Sequence, residues 1–385
     1  MNKGGPLGIF ERVQMYVIAI VSVYYKQLFA KKWNLKRLIM WKDSKYLIAY
    51  LAPLAGYVGL YYGGWWSLGS VYVGFVAVPI LETFLPGTSE NLTEEQESNK
   101  LSTRFFDTLL YLNIPILWGL VAYYFYLLGA RSFETYELIC MTLNVGLVVG
   151  AIGINVGHEL GHRTNKLEQF LSKFLLLSAL YMHFFIEHNR GHHKNVATDE
   201  DPASARRGEM IYTFWFRSVI GGYLNAWKLE NTRLAQARKS AFNWQNEMLR
   251  YQLIQLAYLL SIGLFLGWNM LGYAVAIAVV GFLMLESVNY IEHYGLRRKK
   301  LPSGRYEPVK PEHSWNSDHE LGRIFLYELT RHSDHHFKAT RKYQVLRHFE
   351  ESPQLPMGYP VAILMSFVPP LWFAVMNKRV EVSPN

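Results

Sequence analysis

Residues 136–162 read YELICMTLNVGLVVGAIGINVGHELGH. Up to residue 156 the stretch is apolar, and it is as long as the roughly 20 residues that a helix needs to cross a bilayer. It then ends in His158 and His162, whose i, i+4 spacing puts two imidazoles on one face of a helix. The stretch therefore predicts a membrane-spanning helix that carries potential metal ligands at its end.

Other stretches are equally long and apolar. Together with the first they predict six transmembrane helices, at approximately 46–64, 65–85, 107–130, 136–156, 251–268 and 269–292. Charged residues make up only 18% of the chain, which is below the rough quarter typical of soluble domains. Shorter or interrupted apolar runs at 13–25, 174–186 and 360–376 predict interfacial or packed helices.

Basic residues predict the orientation. They precede the first span at Lys26, Lys31, Lys32, Lys36, Arg37, Lys42 and Lys45. Because loops rich in Lys and Arg stay in the cytoplasm, we expect a cytoplasmic N-terminus. Six crossings then put 157–250 and 293–385 on that same side. The fold class that follows is all-α integral membrane, a single membrane-embedded domain over 1–385 with a cytoplasmic helical cap.

Most of the histidines cluster in or next to the predicted cap. Nine of the 13 fall into four clusters, namely His158 and His162; His188, His192 and His193; His293; and His332, His335 and His336. Imidazole is the commonest metal ligand, and nine imidazoles are more than one ion takes. Adjacent histidines point about 100° apart on a helix, so that each adjacent pair could reach two neighbouring ions. The clusters therefore predict a site for two metal ions. Ligands that are all imidazoles suit Zn, Cu, Fe or Ni.

The remaining histidines fit no such spacing. We expect no metal binding from His183, His313, His319 and His348. Carboxylates near the clusters are expected to orient imidazole N–H groups, the candidates being Glu159, Glu187, Asp199, Asp201 and Glu292. Asp334, between ligands of the fourth cluster, and Glu286, inside the sixth span where a carboxylate is costly, are candidate catalytic groups.

Composition excludes some classes of protein. The single cysteine, Cys140, lies within a span, so that no disulfide, thiolate zinc site or iron–sulfur cluster can form within the chain. A thiolate-haem oxygenase is disfavoured for the same reason. The net charge is +9. The basic residues lie beside the apolar spans, which indicates a role in membrane orientation and in contact with anionic lipid, and not nucleic-acid binding.

Four strings resemble those of the membrane-bound alkane 1-monooxygenases, the integral-membrane non-haem diiron enzymes of the histidine-box superfamily. They are His-Glu-Leu-Gly-His (158–162), Glu-His-Asn-Arg-Gly-His-His (187–193), Asn-Tyr-Ile-Glu-His-Tyr-Gly (289–295) and Leu-Thr-Arg-His-Ser-Asp-His-His (329–336). The third looks specific to the alkane hydroxylase branch. The resemblance runs from about residue 40 to 376 and includes Gly358-Tyr-Pro; Thr330 departs from the Gln of the family string.

The resemblance implies a function. It implies two Fe ions (Fe2+/Fe3+) bound by the nine clustered histidines, at the cytoplasmic side of a bacterial inner membrane. The reaction would be terminal hydroxylation of n-alkanes, with O2 and with electrons from rubredoxin, which rubredoxin reductase supplies. An alkane C–H bond has no polar group on which hydrolytic or acid–base chemistry could act, so that breaking this bond needs a redox metal. Bulky Tyr72 or Phe75 of the second span could set the depth of the substrate channel.

Alternatives stay open. A histidine-box desaturase or an aryl-methyl monooxygenase would share most of the motifs. The string His158-Glu159-x-x-His162 also fits a membrane zinc metalloprotease, with Glu159 as general base, but it leaves the other clustered histidines without a role. A metal transporter would place its ligands near the bilayer midplane, whereas these lie at one surface.

Overall fold

A computed structural model of the protein describes residues 42–85 and 87–382. The chain forms two compact units, 1–47 and 48–385, and only residues 42–47 of the first fall within the described ranges. The apolar run 13–25 and the basic residues up to Arg37 therefore lie outside the described residues. The second unit contains every site discussed below.

Five described helices are long and apolar enough to cross a membrane. They are Gly64–Glu82, Phe105–Ala130, Thr135–Gly161, Glu247–Leu266 and Met270–His293, and they coincide with five of the stretches expected from the sequence. The stretch 46–64 instead forms a 3-10 helix, Ser44–Tyr50, followed by the short α-helix Leu51–Tyr62. The described residues thus make an all-α, multi-pass membrane protein with five spanning candidates, and a sixth crossing stays a prediction.

Two of the long helices contain a wider turn. In Thr135–Gly161, α-helical Thr135–Val148 passes through a π-helical segment, Val149–Ile154, into Asn155–Gly161. Gly64–Glu82 is built in the same way from Gly64–Leu68, Gly69–Tyr72, the π segment Val73–Ala77 and Val78–Glu82. Such segments are frequent at functional sites.

Glycines bring two of the histidine-bearing helices together. A Cβ on Gly150 would lie 2.8 Å from the carbonyl oxygen of Gly281, and one on Gly281 would lie 2.6 Å from Cγ1 of Val149. Small residues of this kind let membrane helices approach closely. The contact joins Thr135–Gly161 to Met270–His293, whose ends carry His158 and His293.

The other helices complete the fold. On the side of the histidines lie Glu94–Ser102, Lys166–Leu177, Phe184–Glu187, the π-helical His188–His192, His193–Asn195, Ile211–Gln236, Pro311–His313, Glu320–Phe325, His332–Phe337, Tyr343–Val345, Tyr359–Ser366 and Pro369–Val382. The run 360–376 is helical on both sides of a break before Pro369, as expected. The 26-residue helix Ile211–Gln236 was not expected, because charged side chains interrupt its apolar pattern.

Candidate metal centre

All nine clustered histidines meet in space and form two groups. The five-histidine group consists of His158, His162, His188, His193 and His335, and the four-histidine group of His192, His293, His332 and His336. Within each group the candidate ligand atoms all lie within 4.8 Å of one another. The chain therefore gathers imidazoles from four separate segments into a metal site with two compartments.

A π-helical turn assigns the second cluster to the two groups. His188–His192 is π-helical, and residues five apart stack in such a turn. Nε2 of His193 accordingly lies 3.0 Å from Nε2 of His188, whereas Nε2 of His192 lies 3.2 Å from that of His336. His188 and His192 lie four residues apart but belong to different groups, because the extra residue in the turn rotates His192 away.

The adjacent histidines separate as their angular offset predicts. His192 and His193 belong to different groups, and so do His335 and His336. His335 lies 2.8 Å, nitrogen to nitrogen, from His158, and His336 lies 2.9 Å from His332. One short helix, His332–Phe337, thus supplies both compartments.

The nitrogen spacing fits metal binding. The Nε2 atoms approach pairwise to between 2.8 and 3.2 Å. Two nitrogens bound about 2.0–2.1 Å from one ion and at right angles to each other would be about 3 Å apart. Neutral imidazoles can share only some of these contacts as hydrogen bonds, because each ring carries one N–H donor. Convergent lone pairs in such number suit a cation.

Burial keeps the rings in the form that binds metal. Desolvation, reinforced by the neighbouring imidazoles, lowers the pKa of the clustered histidines outside the spans, namely His162, His188, His193, His332, His335 and His336. His192 differs: burial opposes its protonation, but Asp201 outweighs this and raises the pKa of the His192 imidazole. Oδ2 of Asp201 lies 2.9 Å from Nδ1 of His192, an arrangement that fixes the ring and leaves Nε2 to face the metal compartment.

Glu292 lies beside the four-histidine group. Its Oε2 is 3.2 Å from Nε2 of His332, and its Oε1 accepts a hydrogen bond of 2.9 Å from the Tyr359 hydroxyl. The carboxylate is therefore close enough to a ligand nitrogen to reach the same ion. Tyr359 was not expected as a site residue, although the string Gly358-Tyr-Pro contains it.

Other expected carboxylates have different partners. Glu159 accepts a hydrogen bond of 2.7 Å from Arg163, and Glu187 accepts one of 3.3 Å from Asn225. Burial raises the pKa of the Glu187 carboxyl to about 8. Asp199 is exposed and lies 3.7 Å from Arg297. Of the expected supporting carboxylates, only Asp201 and Glu292 contact a ligand ring among the described interactions.

The two candidate catalytic carboxylates are both bound by other side chains. Both oxygens of Asp334 bind Arg341, at 2.7 and 2.6 Å, and the backbone N–H of Arg347 donates to it at 2.7 Å. These contacts suit an anchor for the helix His332–Phe337 and not a reacting group. Glu286 is buried and accepts hydrogen bonds from Tyr181 and Ser218, at 2.8 and 2.5 Å.

The four other histidines lie outside both groups. Three of them have polar partners: His313 lies 3.5 Å from Glu307, His319 lies 3.0 Å from the Ser317 hydroxyl, and His348 lies 2.8 Å from Asp318. The His183 ring packs against Tyr181, with ring centroids 4.3 Å apart.

An apolar cavity leads to the histidines. From the helix Gly64–Glu82 it is lined by Ser70, Gly74 and Val78, which recur every four residues and so share one face. Its other end is lined by His158, His188, His332 and Glu292. The eight residue steps from Ser70 to Val78 correspond to about 12 Å of helix, so the cavity extends from the spanning region to both histidine groups.

Tyr72 and Phe75, expected to set the depth of a substrate channel, do not line this cavity. Tyr72 is 38% exposed, and its hydroxyl donates to the carbonyl of Trp65. Phe75 packs against a buried cluster around Tyr290 and Trp372. Side-chain size suggested these two residues, whereas helical spacing decides which residues face the cavity.

Comparison with known proteins identifies the family of the chain. A family model described as fatty acid desaturase matches residues 136–363. Alkane 1-monooxygenase 2 of Pseudomonas aeruginosa is 40% identical over 340 residues, which cover 85% of this chain and 90% of that protein. Alkane 1-monooxygenase 1 of Alcanivorax borkumensis is 38% identical over 348 residues, 88% of this chain and 85% of that protein. The chain belongs to the alkane 1-monooxygenase family.

Membership in the alkane 1-monooxygenase family makes the protein an oxidoreductase of the monooxygenase class. It also supports the reading of the histidine groups as a metal site, since the family consists of metalloenzymes. A more distant relative is the xylene/toluene monooxygenase hydroxylase component of Pseudomonas putida, 29% identical over 341 residues, 86% of this chain and 87% of that protein.

Proposed function

We propose that this monooxygenase converts n-alkanes to primary alcohols. The reaction consumes one O2, two electrons and two protons, and it releases the alcohol and one water. The observation that carries the proposal is the apolar cavity between the helix Gly64–Glu82 and the histidines. An unbranched chain drawn from the bilayer would lie along Val78 and Gly74 with one methyl end towards His158 and His332.

The cofactor of the proposal is a pair of iron ions. The five-histidine group would hold one and the four-histidine group the other, with Glu292 available to the second. Bound iron would supply the O2-dependent redox chemistry that an unactivated C–H bond requires. The protein itself would keep the imidazoles neutral and in position, and the apolar wall of the cavity would exclude water from the alkane.

Electrons would come from a separate carrier. The one cysteine of the chain, Cys140, is buried within a spanning helix, and we propose rubredoxin, reduced by its reductase, as the donor. Among basic residues near the histidines, Arg163 and Arg190 are engaged with Glu159 and Glu230, whereas Lys194 and Lys299 are exposed. Docking of an acidic carrier would use the latter, at the cytoplasmic face of a bacterial inner membrane.

One experiment tests these points together. The purified full chain is assayed for metal content and for rubredoxin-dependent oxidation of octane and dodecane, with xylene as competing substrate. We expect about two irons per chain and 1-alkanols as products. One zinc without iron, or a faster reaction on the xylene methyl group than on either alkane, would contradict the proposal and favour a metalloprotease or an aryl-methyl monooxygenase respectively.

A further inference from the structure

A groove lies away from the metal centre, between the helices Lys166–Leu177 and Glu247–Leu266. One face of each helix lines it, since the lining residues follow i, i+3 and i+4 spacing. They are Lys166, Gln169, Phe170, Lys173, Phe174 and Leu177 on the first helix, Glu247, Arg250, Tyr251 and Ile254 on the second, and Met182.

The groove is basic at one end and apolar at the other. Lys166, Lys173 and Arg250 line the end at which the spanning helix Glu247–Leu266 begins. Leu177 and Ile254 line the end that lies further along both helices. Because Glu247–Leu266 enters the membrane in this direction, the basic end lies at the membrane surface and the apolar end at the depth of acyl chains.

Positive charge in the groove is incompletely balanced. A single carboxylate, Glu247, lies 3.7 Å from Lys173 and 3.8 Å from Arg250. Its other oxygen is already bound by Arg190 at 2.6 Å. The buried Nε of Arg250 has no hydrogen-bond partner among the described residues. An anion at this end would therefore meet cations that the protein itself leaves partly unpaired.

Lys173 is held in place by aromatic rings. Its Nζ lies 4.3 Å from the centroid of the Phe185 ring and 5.8 Å from that of Tyr251. Burial lowers the pKa of the Lys173 ammonium, and the nearby Glu247 only partly offsets this. An ammonium that is fixed and poorly solvated gains more from an added anion than a mobile surface lysine does.

We propose that this groove binds one anionic phospholipid. The phosphate would lie between Lys166, Lys173 and Arg250, and an acyl chain would follow Phe174, Leu177 and Ile254. Basic pockets between membrane helices bind anionic headgroups in this way. The apolar half argues for a lipid over a free anion, because Phe174 and Ile254 are 38% and 44% exposed and an inorganic anion would leave them uncovered.

The site would also stabilise the helix that precedes the second histidine cluster. The Ser172 hydroxyl, next to Lys173, donates a hydrogen bond of 2.5 Å to the carbonyl of Gly157, one residue before His158. Phe185, under the Lys173 ammonium, lies three residues before His188. A lipid bound here would restrain two segments that supply metal ligands.

The test measures lipid binding by the full chain in a neutral detergent. Phosphatidylglycerol, phosphatidylcholine and inorganic phosphate are titrated separately, and the melting temperature and native mass spectrum are recorded. The variant Lys166→Gln/Arg250→Gln removes two of the cations. The matched control Lys228→Gln/Lys378→Gln removes two exposed cations outside the groove. A third variant, Ile254→Trp, fills the apolar half without changing charge.

We expect phosphatidylglycerol to bind and to raise the melting temperature, with phosphatidylcholine much weaker. The groove variant should lose about fivefold in affinity per cation removed, the control should not change, and Ile254→Trp should weaken binding with all cations present. Ile254→Trp tests the site even when the charge variant fails to fold. Equal affinity for both lipids, equal protection by inorganic phosphate, or binding that no groove variant alters would overturn the proposal.

Discussion

At the scale of single residues, the environment of each ring decides the part it can take. Thirteen histidines are present, but only those whose Nε2 atoms point into a shared space can bind one ion. His192 shows how this is achieved, because Asp201 holds its Nδ1 while Nε2 faces His336. Ser204 in turn donates to the same Asp201 oxygen at 2.6 Å, so the carboxylate is itself fixed.

Replacing this carboxylate should weaken metal binding. We expect Asp201→Asn to lower metal affinity about 10–100-fold, the usual cost of losing a carboxylate that orients a ligand, with the fold retained. Iron titration of the metal-free protein measures this. Asp199→Asn is the matched control, since Asp199 is exposed and lies 3.7 Å from Arg297. An equal loss in both variants would show that the effect is one of general charge.

Cavity-lining residues should determine the length of substrate that fits. Gly74 lines the cavity, and a Cβ placed there would have ordinary contact with Leu147 at 3.6 Å. We expect Gly74→Leu to fill the cavity and to shift the preferred alkane to a shorter chain, measured by competition between octane and dodecane. Val76→Leu, exposed on the same helix and outside the cavity, should leave the preference unchanged. A profile that stays the same in Gly74→Leu would remove this cavity as the substrate site.

At the scale of helices, close packing and extra turn residues place the ligands. Thr135–Gly161 carries a π segment before His158, and the turn His188–His192 directs neighbouring histidines into different compartments. Helix lengths and the existence of the clusters could be predicted, because both depend on local composition and spacing. The assignment of His192 and His193 could not, since one additional residue in a turn leaves no mark in an i, i+4 pattern.

Close contact between the two histidine-bearing helices should be sensitive to added bulk. Gly150→Val would put side-chain atoms against the backbone of Gly281 and against Met284. We expect it to lower the free energy of unfolding by about 1–3 kcal/mol, as overpacking does, and to reduce metal content by displacing His158 relative to His293. Gly272→Ala is the control, because a Cβ there meets nothing within 4 Å. Comparable melting temperatures for the two variants would contradict the packing argument.

At the scale of the whole molecule, the helix directions place every histidine cluster at one end of the bundle. The opposite end holds the connections 131–134 and 267–269, and there the backbone N–H of Gly64 donates to Glu137 at 2.8 Å. The sequence could predict this separation from the parity of its apolar runs. Which residues of a span face the cavity could not be predicted, as Tyr72 and Phe75 show, because that depends on how the helices are rotated against one another.

The proposed orientation in the membrane can be measured with variants that each carry one introduced cysteine. Native Cys140 is buried, so that the unmodified chain should not react with a membrane-impermeant maleimide and serves as the control. Ser132→Cys lies in the connection remote from the histidines, whereas Ser240→Cys and Ser303→Cys lie in exposed segments at the histidine end. In intact spheroplasts we expect only Ser132→Cys to be labelled, and the other two only after lysis, because the basic segments should remain in the cytoplasm.

Labelling of Ser303→Cys without lysis would show that the orientation is the reverse of the one proposed. Different behaviour of Ser240→Cys and Ser303→Cys would mean that Glu247–Leu266 and Met270–His293 do not cross as a pair, and a site supplied from both flanking segments could then not form on one side of the membrane.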